Sequence, residues 1–186
     1  MEDAEIVELY FDRSEQAVAE SAKRYGARLR KLAYGILDEE TAAEECENDT
    51  YLEAWNAIPP AAPRTYLYAF LARITRHLAI DRCRGLGRQK RSARLEELTA
   101  ELADCTPGTE NVEGSVEAKL MAEAISRFLR SLPEEKRNLF LRRYWYCDSI
   151  GSIARRARCG ESKVKTTLHR TRQELKDYLE TEGYTV

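Results

Sequence analysis

The sequence has few of the residues that build metal sites and disulfide frameworks. It contains two histidines, and no two of its five cysteines form a CxxC pair. Zinc sites need clustered Cys and His ligands, and disulfide scaffolds need cysteines at regular close spacing. We therefore expect reduced thiols that pack as small hydrophobic groups, and neither a metal nor another cofactor.

Long apolar runs are also missing. No segment approaches the roughly 20 apolar residues of a membrane-spanning helix, so we expect no membrane insertion. The first ten residues, MEDAEIVELY, are acidic and lack the basic and apolar parts of a signal peptide, which predicts a cytoplasmic protein. There is no Gly-rich phosphate loop and no Ser/His/Asp set, so we do not expect an enzyme.

Strand patterns are absent as well, and apolar residues recur at helical spacings of three and four. The 186 residues therefore predict an all-α protein. Proline, glycine and acidic residues interrupt the pattern after residue 86. We expect an N-terminal helical bundle (1–86), a linker (87–115) and a C-terminal helix-turn-helix domain (116–186).

Charge is segregated along the chain, although the net charge is only −2. Residues 1–60 carry 15 acidic and 6 basic side chains. Residues 61–94 carry 1 acidic and 9 basic side chains. Residues 95–126 carry 8 acidic and 1 basic side chain, and residues 127–186 carry 8 acidic and 14 basic side chains. Two basic blocks suggest two contacts with an anionic partner, or acidic and basic blocks that pack against each other.

The stretch from Ala42 to Arg84 divides into an acidic half and a basic half. The acidic half has apolar residues at helical spacing and is expected to form a helix to about Ala57. The prolines of Pro59–Pro63 break it, and a basic helix is expected over 64–84. We expect Leu67, Phe70, Leu71, Ile74 and Leu78 to face inward on that helix.

The C-terminal part has the pattern of a helix-turn-helix. A short helix at Ile150–Ala157, a turn at Arg158–Gly160 and a longer helix from Glu161 suit insertion of the second helix into the major groove. The basic side chains of that helix can contact phosphate, and its Ser, Thr and His side chains can reach base edges. The alternative is an ordinary helical hairpin with a solvated charged face.

Three segments together resemble the sigma factors of bacterial RNA polymerase, in the extracytoplasmic-function (ECF) group of the sigma-70 family. SIGSIARRARCGESKVKTTLHRTRQELKDYL and the LPEEKRNLFLRRYWYCDSI that overlaps its start resemble the helix-turn-helix of that family. EECENDTYLEAW resembles its helix for binding core polymerase, and FLARITRHLAIDRCR its promoter-reading helix. Asn48 stands where glutamine is commoner, Arg158 where a turn glycine is usual, and Gly160 where a capping serine is common.

The resemblance implies a factor that binds core RNA polymerase and reads the −10 and −35 elements of promoter DNA. An anti-sigma factor is an additional partner in many members of the family. The residues implied for core polymerase are Glu44, Glu45, Asn48, Asp49 and Glu53. Those implied for the −10 element are Asn56, Arg64, Tyr66, Arg73, Arg76, His77 and Arg82. Those implied for the −35 element are Arg143, Ser162, Lys163, Lys165, Thr166, Thr167, His169, Arg170 and Arg172.

Other interpretations account for less of the chain. A stand-alone helix-turn-helix regulator explains residues 116–186 but assigns no role to the acidic helix. An interaction adaptor without a DNA role leaves the Lys/Arg-rich last helix unexplained. The alternative to polymerase binding by the acidic run is an ordinary solvated helix face. We expect Tyr51 and Trp55 to belong to the core rather than to contact bases.

Overall fold

The computed structural model describes residues 1–85, 89–106 and 116–184. The all-α prediction is confirmed, since the regular structure of these three ranges consists of helices alone. Contacts divide the chain into two compact units, Met1–Ser92 and Ala93–Val186. Within the described ranges, no helix is long and apolar enough to cross a membrane.

The first unit is a bundle of four helices, in which α2 packs against both α3 and α4. Its fully buried side chains come from all four helices, and Ile6, Leu29, Ala43 and Leu71 are examples. The α2–α3 corner is short because Asp38 adopts the left-handed conformation at φ 51° and ψ 34°. The helices are α1 (Asp3–Phe11), α2 (Gln16–Leu37), α3 (Glu40–Ala57) and α4 (Leu67–Gly85).

The buried face of α4 is rotated from the predicted one. Leu67 and Leu71 are buried as expected, but Phe70, Ile74 and Leu78 are half-exposed. Small residues of α4 lie against α3 instead. The Thr75 hydroxyl lies 2.9 Å from that of Thr50, and the Cys46 thiol lies 3.4 Å from the Thr75 carbonyl oxygen. Small side chains permit α3 and α4 to approach each other closely. Hydropathy had instead favoured the larger apolar side chains for the buried face of α4.

The second unit is organised around its last helix, which contacts α6, α7 and α8. Val164, Leu168, Leu175 and Leu179 are buried on one side of it. Leu120 of α6 is 52% exposed. The helices are α5 (Gln89–Ala103), α6 (Val116–Ser131), α7 (Glu134–Tyr144), α8 (Ile150–Ala157) and α9 (Glu161–Thr181).

Part of the predicted linker is helical. Residues 89–103 form α5, and from Ala93 onward the chain belongs to the second unit. Leu98 and Cys105 are buried. Residues 87–88 and 107–115 of the predicted linker lie outside the described residues, and the domain boundaries stay a prediction.

Candidate nucleic-acid and partner interfaces

One face of α3 is acidic and exposed. Four of the five residues predicted to bind polymerase are exposed, and the fifth, Asp49, is half-buried. The opposite side holds Ala43, Cys46, Tyr51 and Ala54 in the core. Burial raises the pKa of the Cys46 thiol to about 12, so this cysteine stays protonated. The helix therefore presents carboxylates on one side of a fixed apolar base.

Glu47 does not belong to the exposed face, although it lies within the same acidic run of the sequence. Its side chain is 7% exposed and accepts a 2.8 Å hydrogen bond from Arg30 Nε of α2. Its other oxygen accepts a 2.9 Å bond from the Tyr51 hydroxyl. A buried carboxylate must be paired, and here the pairing attaches α3 to α2.

Leu52 is a surface residue that the sequence-based reasoning left out. It is 59% exposed and lies on α3 beside Glu53. Only its position in the sequence could have indicated this exposure, because Leu52 does not share the helix face on which Cys46, Thr50 and Ala54 are buried. An exposed leucine within an acidic face can serve as an apolar anchor for a partner.

Arg82, which is predicted to read the −10 element, contacts two of the residues that are predicted to bind core polymerase. Its Nη1 lies 2.7 Å from Glu45 Oε2, and its Nη2 lies 2.6 Å from Asp49 Oδ2. These bonds raise the pKa of Arg82, with the bond to Glu45 contributing most. The acidic face of α3 and the basic helix α4 therefore meet at Arg82, and the arginine already has two acidic partners within the first unit.

Most of the residues predicted to read the −10 element are exposed on the last turn of α3, on the segment 58–66 between α3 and α4, here called the elbow, and on α4. Tyr66 is 54% exposed, and Asn56 and Arg73 are also exposed. Arg64 donates a 2.7 Å hydrogen bond to Glu8 and lies over the Phe11 ring, so α1 orients it. The remaining residues are less uniform: Arg76 is half-buried, and the exposed His77 lies 3.1 Å from Asp81.

Tyr51 lies in the core as expected, whereas Trp55 is only partly buried. Tyr51 is 5% exposed. Trp55 is half-buried, and its ring meets Tyr10 edge-on at a centroid distance of 6.2 Å. The Arg13 guanidinium lies over the same indole ring at 5.4 Å. These contacts attach the end of α3 to α1, just before the elbow.

The helix-turn-helix is formed by α8 and α9. Ser149 caps α8 by accepting a 3.2 Å hydrogen bond from the Ser152 amide. Arg158 ends α8 in the left-handed conformation, φ 52° and ψ 44°, which glycine adopts most easily. Gly160 then precedes α9 with extended backbone. The predicted turn is confirmed, with arginine taking the conformation that usually selects glycine.

The exposed side of α9 carries most of the residues predicted for the −35 element. Lys165, Arg170 and His169 are exposed, as are Ser162 and Thr166, while Thr167 is half-buried. Lys163 is exposed and lies 2.8 Å from Glu135 of α7. This surface therefore carries cationic side chains together with short polar ones, the two kinds of group that proteins use on phosphates and base edges.

Arg143 and Arg172 differ from the rest of this predicted set. The Arg143 side chain is 3% exposed, and its Nη2 lies 3.1 Å from Glu97 and 3.0 Å from Glu101. Arg172 is 17% exposed, and its Nη1 lies 3.4 Å from Glu101. Both arginines therefore face acidic side chains of α5 in this conformation, and their contact with DNA stays a prediction.

Two family models match the chain in order along its length. The description Sigma-70 region 2 matches residues 22–89, and Sigma-70, region 4 matches residues 122–175. The chain belongs to the sigma-70 family. The membership inferred from the motif residues is thereby confirmed, including the ECF group.

The similarity of this sigma-70 family protein to a curated relative supports the same conclusion. The chain is 27% identical over 164 residues to the ECF RNA polymerase sigma factor SigE of Mycolicibacterium smegmatis. That alignment covers 86% of the chain and 60% of the relative. The region 2 match contains α3 and α4, the region 4 match contains α7 and α8, and Glu101 of α5 lies between the two.

Proposed function

We propose that this protein is a sigma factor, which binds core RNA polymerase and directs it to specific promoters. The observation that carries the proposal is the ordered pair of matches to sigma-70 regions 2 and 4. A stand-alone helix-turn-helix regulator is not favoured, because the region 2 match spans α3 and α4, for which such a regulator has no use.

The acidic face of α3 is the proposed surface for core polymerase. Its carboxylates suit a basic partner surface, and the exposed Leu52 supplies apolar contact area beside Glu53. Arg30 and Tyr51 hold Glu47, and so hold the helix that presents this face. Polymerase binding thus depends on charge at the surface and on rigidity beneath it.

The elbow and α4 are the proposed surface for the −10 element. Opening a duplex requires that bases unstack and that one strand be held, which aromatic and cationic groups achieve by stacking and phosphate contact. The exposed Tyr66 and Arg73 have the required chemistry, and Glu8 and Phe11 preorient Arg64.

The exposed side of α9 is the proposed surface for the −35 element as duplex DNA. Lys165 and Arg170 contribute phosphate contacts, and Thr166 and His169 reach bases. Each half binds weakly alone, and attachment to polymerase raises the effective concentration of each half at its element. We expect weak promoter binding without polymerase, because the net charge of −2 opposes loose DNA binding.

The proposal includes a cellular setting and a division of labour. The protein acts in the cytoplasm, the catalysis of RNA synthesis belongs to the polymerase, and an anti-sigma factor is a further candidate partner.

Transcription with purified core enzyme on a promoter library tests the proposal. We expect transcripts that start at defined sites only when the chain is added. Absence of both core binding and specific transcripts would end the sigma hypothesis.

Charge reversal separates the two proposed surfaces. Asp49→Lys with Glu53→Lys should weaken core binding, whereas Glu15→Lys with Glu20→Lys, on α2 or next to it, should not. Lys165→Ala with Arg170→Ala should reduce −35-dependent initiation and leave core binding unchanged. Unchanged core binding in the α3 variant would mean that the polymerase surface lies elsewhere.

A further inference from the structure

Two arginines from different helices converge on one carboxylate in the second unit. Arg143, near the end of α7, lies with Nη2 3.0 Å from Glu101 Oε1. Arg172, in the middle of α9, lies with Nη1 3.4 Å from Glu101 Oε2. The Tyr144 hydroxyl donates a 2.7 Å hydrogen bond to the same Oε2. Arg172 also donates a short hydrogen bond to the Tyr144 oxygen.

This arrangement of donors is the one that a phosphate group requires. Two guanidinium groups and a hydroxyl surround a single oxyanion, and guanidinium binds carboxylate and phosphate with the same forked geometry. The acid does not come from the helix-turn-helix. It comes from α5, which lies between the segments matched by the two family models.

The carboxylate is held in its charged form. Burial raises the pKa of Glu101, but hydrogen bonds from Arg143 and Tyr144 and the charges of Arg143 and Arg172 outweigh this effect and leave the pKa below its usual value. Glu101 is therefore an anion at neutral pH, as a DNA phosphate is.

We propose that Glu101 occupies the place of a DNA phosphate between Arg143 and Arg172, so that α5 competes with promoter DNA for the −35 surface. The inference rests on the proposed function, because it assigns a regulator to the same DNA-binding surface. Glu97, whose side chain is 59% exposed, adds a second acidic contact to Arg143 at 3.1 Å and so also competes with a DNA phosphate for this arginine. DNA binding then requires that the acidic side chains of α5 leave the two arginines.

Binding of the full chain to a short duplex of random sequence, over a series of salt concentrations, tests this competition. Glu101→Gln should bind about tenfold tighter than wild type, since a charge-assisted internal competitor is lost. The slope of log K against log salt should steepen by about 0.9 for each phosphate contact regained. The matched control, Glu123→Gln, removes the same charge from the exposed face of α6 and should behave as wild type. Equal affinity of the two variants would overturn the inference.

A second measurement applies even if loss of the Glu101 charge unfolds the domain. Hydrogen exchange of wild-type α5 amides is followed with and without saturating duplex. DNA binding should speed exchange across residues 97–103, because the contacts of Glu97 and Glu101 are broken. Exchange that stays unchanged on DNA binding would contradict the competition.

A third variant separates this inference from the proposed function. Lys165→Ala with Arg170→Ala should weaken binding to the same duplex. If it does, and Glu101→Gln equals Glu123→Gln, the DNA surface stands and the competition by α5 fails. If the double variant binds as well as wild type, the proposed −35 surface itself has failed.

Discussion

A methyl group on Gly26 would lie 2.5 Å from the Oε1 atom of Glu47. Gly26 is buried on α2, and the space above it holds the carboxylate that joins α3 to Arg30. The same methyl group would lie 3.2 Å from the Tyr51 hydroxyl oxygen. The absence of a side chain at residue 26 therefore allows α3 to pack closely against α2.

Gly26→Ala should weaken core binding without changing any exposed residue. The new Cβ must displace Glu47, which leaves a buried carboxylate imperfectly paired and costs roughly 1–3 kcal/mol of unfolding free energy. Urea unfolding followed by circular dichroism measures this loss. Gly85→Ala is the matched control, because a Cβ at Gly85 meets nothing within 4 Å. Equal stability of the two variants would show that Glu47 moves at no cost.

Leu52→Ala should weaken binding to core polymerase by about tenfold, as the removed side chain contributes roughly 1.5 kcal/mol or more when a partner buries it. Stability of the free protein should be unchanged, because Leu52 is already 59% exposed. Leu120→Ala, on the 52% exposed leucine of α6, is the control. Competition against labelled wild-type protein for core enzyme compares the two, and equal affinities would remove Leu52 from the interface.

Arg82→Gln should separate the two roles that meet at this residue. Loss of the arginine leaves Glu45 and Asp49 without their shared cation, so affinity for core polymerase should rise, by no more than about fivefold for a partly exposed ion pair. Opening of the −10 element, followed by permanganate footprinting, should decrease.

Arg84→Gln is the control for Arg82→Gln, since Arg84 lies 4.0 Å from Asp81 rather than beside the α3 carboxylates. A loss of core affinity in Arg82→Gln alone would mean that Arg82 positions the acidic residues instead of competing for them.

Arg158→Gly should stabilise the second unit by up to about 1 kcal/mol, because a non-glycine residue is strained in the left-handed conformation. The observed φ of 52° is one that glycine adopts without a Cβ clash. Thermal unfolding measures the change, with Arg155→Gly inside α8 as a control that should destabilise. A lower unfolding temperature for Arg158→Gly would indicate that the arginine side chain contributes more than the strain costs.

Acid should release α5 from the second unit. The folded-state pKa of Glu101 is lowered, so its stabilising effect is present above the unfolded-state pKa of about 4.3 and is lost as pH falls through the lower folded-state value. Hydrogen-exchange protection of α5, corrected for intrinsic rates, should fall over this range in wild type. Protection in Glu101→Gln should depend less on pH, and an identical pH dependence would exclude Glu101 as the titrating group.

Much of the architecture follows from the sequence alone. The pattern predicted α8 with the bounds that the structure has, because Ser149 caps its start and Arg158 ends it locally. The helix-turn-helix and the acidic face of α3 were likewise predicted from pattern and charge. Family membership followed from short motifs in the right order.

The tertiary structure decided which charged and apolar residues are available to partners. Glu47 is buried against Gly26, Arg143 is buried beside the acidic residues of α5, and Arg82 is shared by two carboxylates. Periodicity also failed on α4, where Thr75 rather than Phe70 packs toward α3. Sequence patterns report the preference of each segment for water, whereas pairing across helices depends on distances that only the packed structure sets.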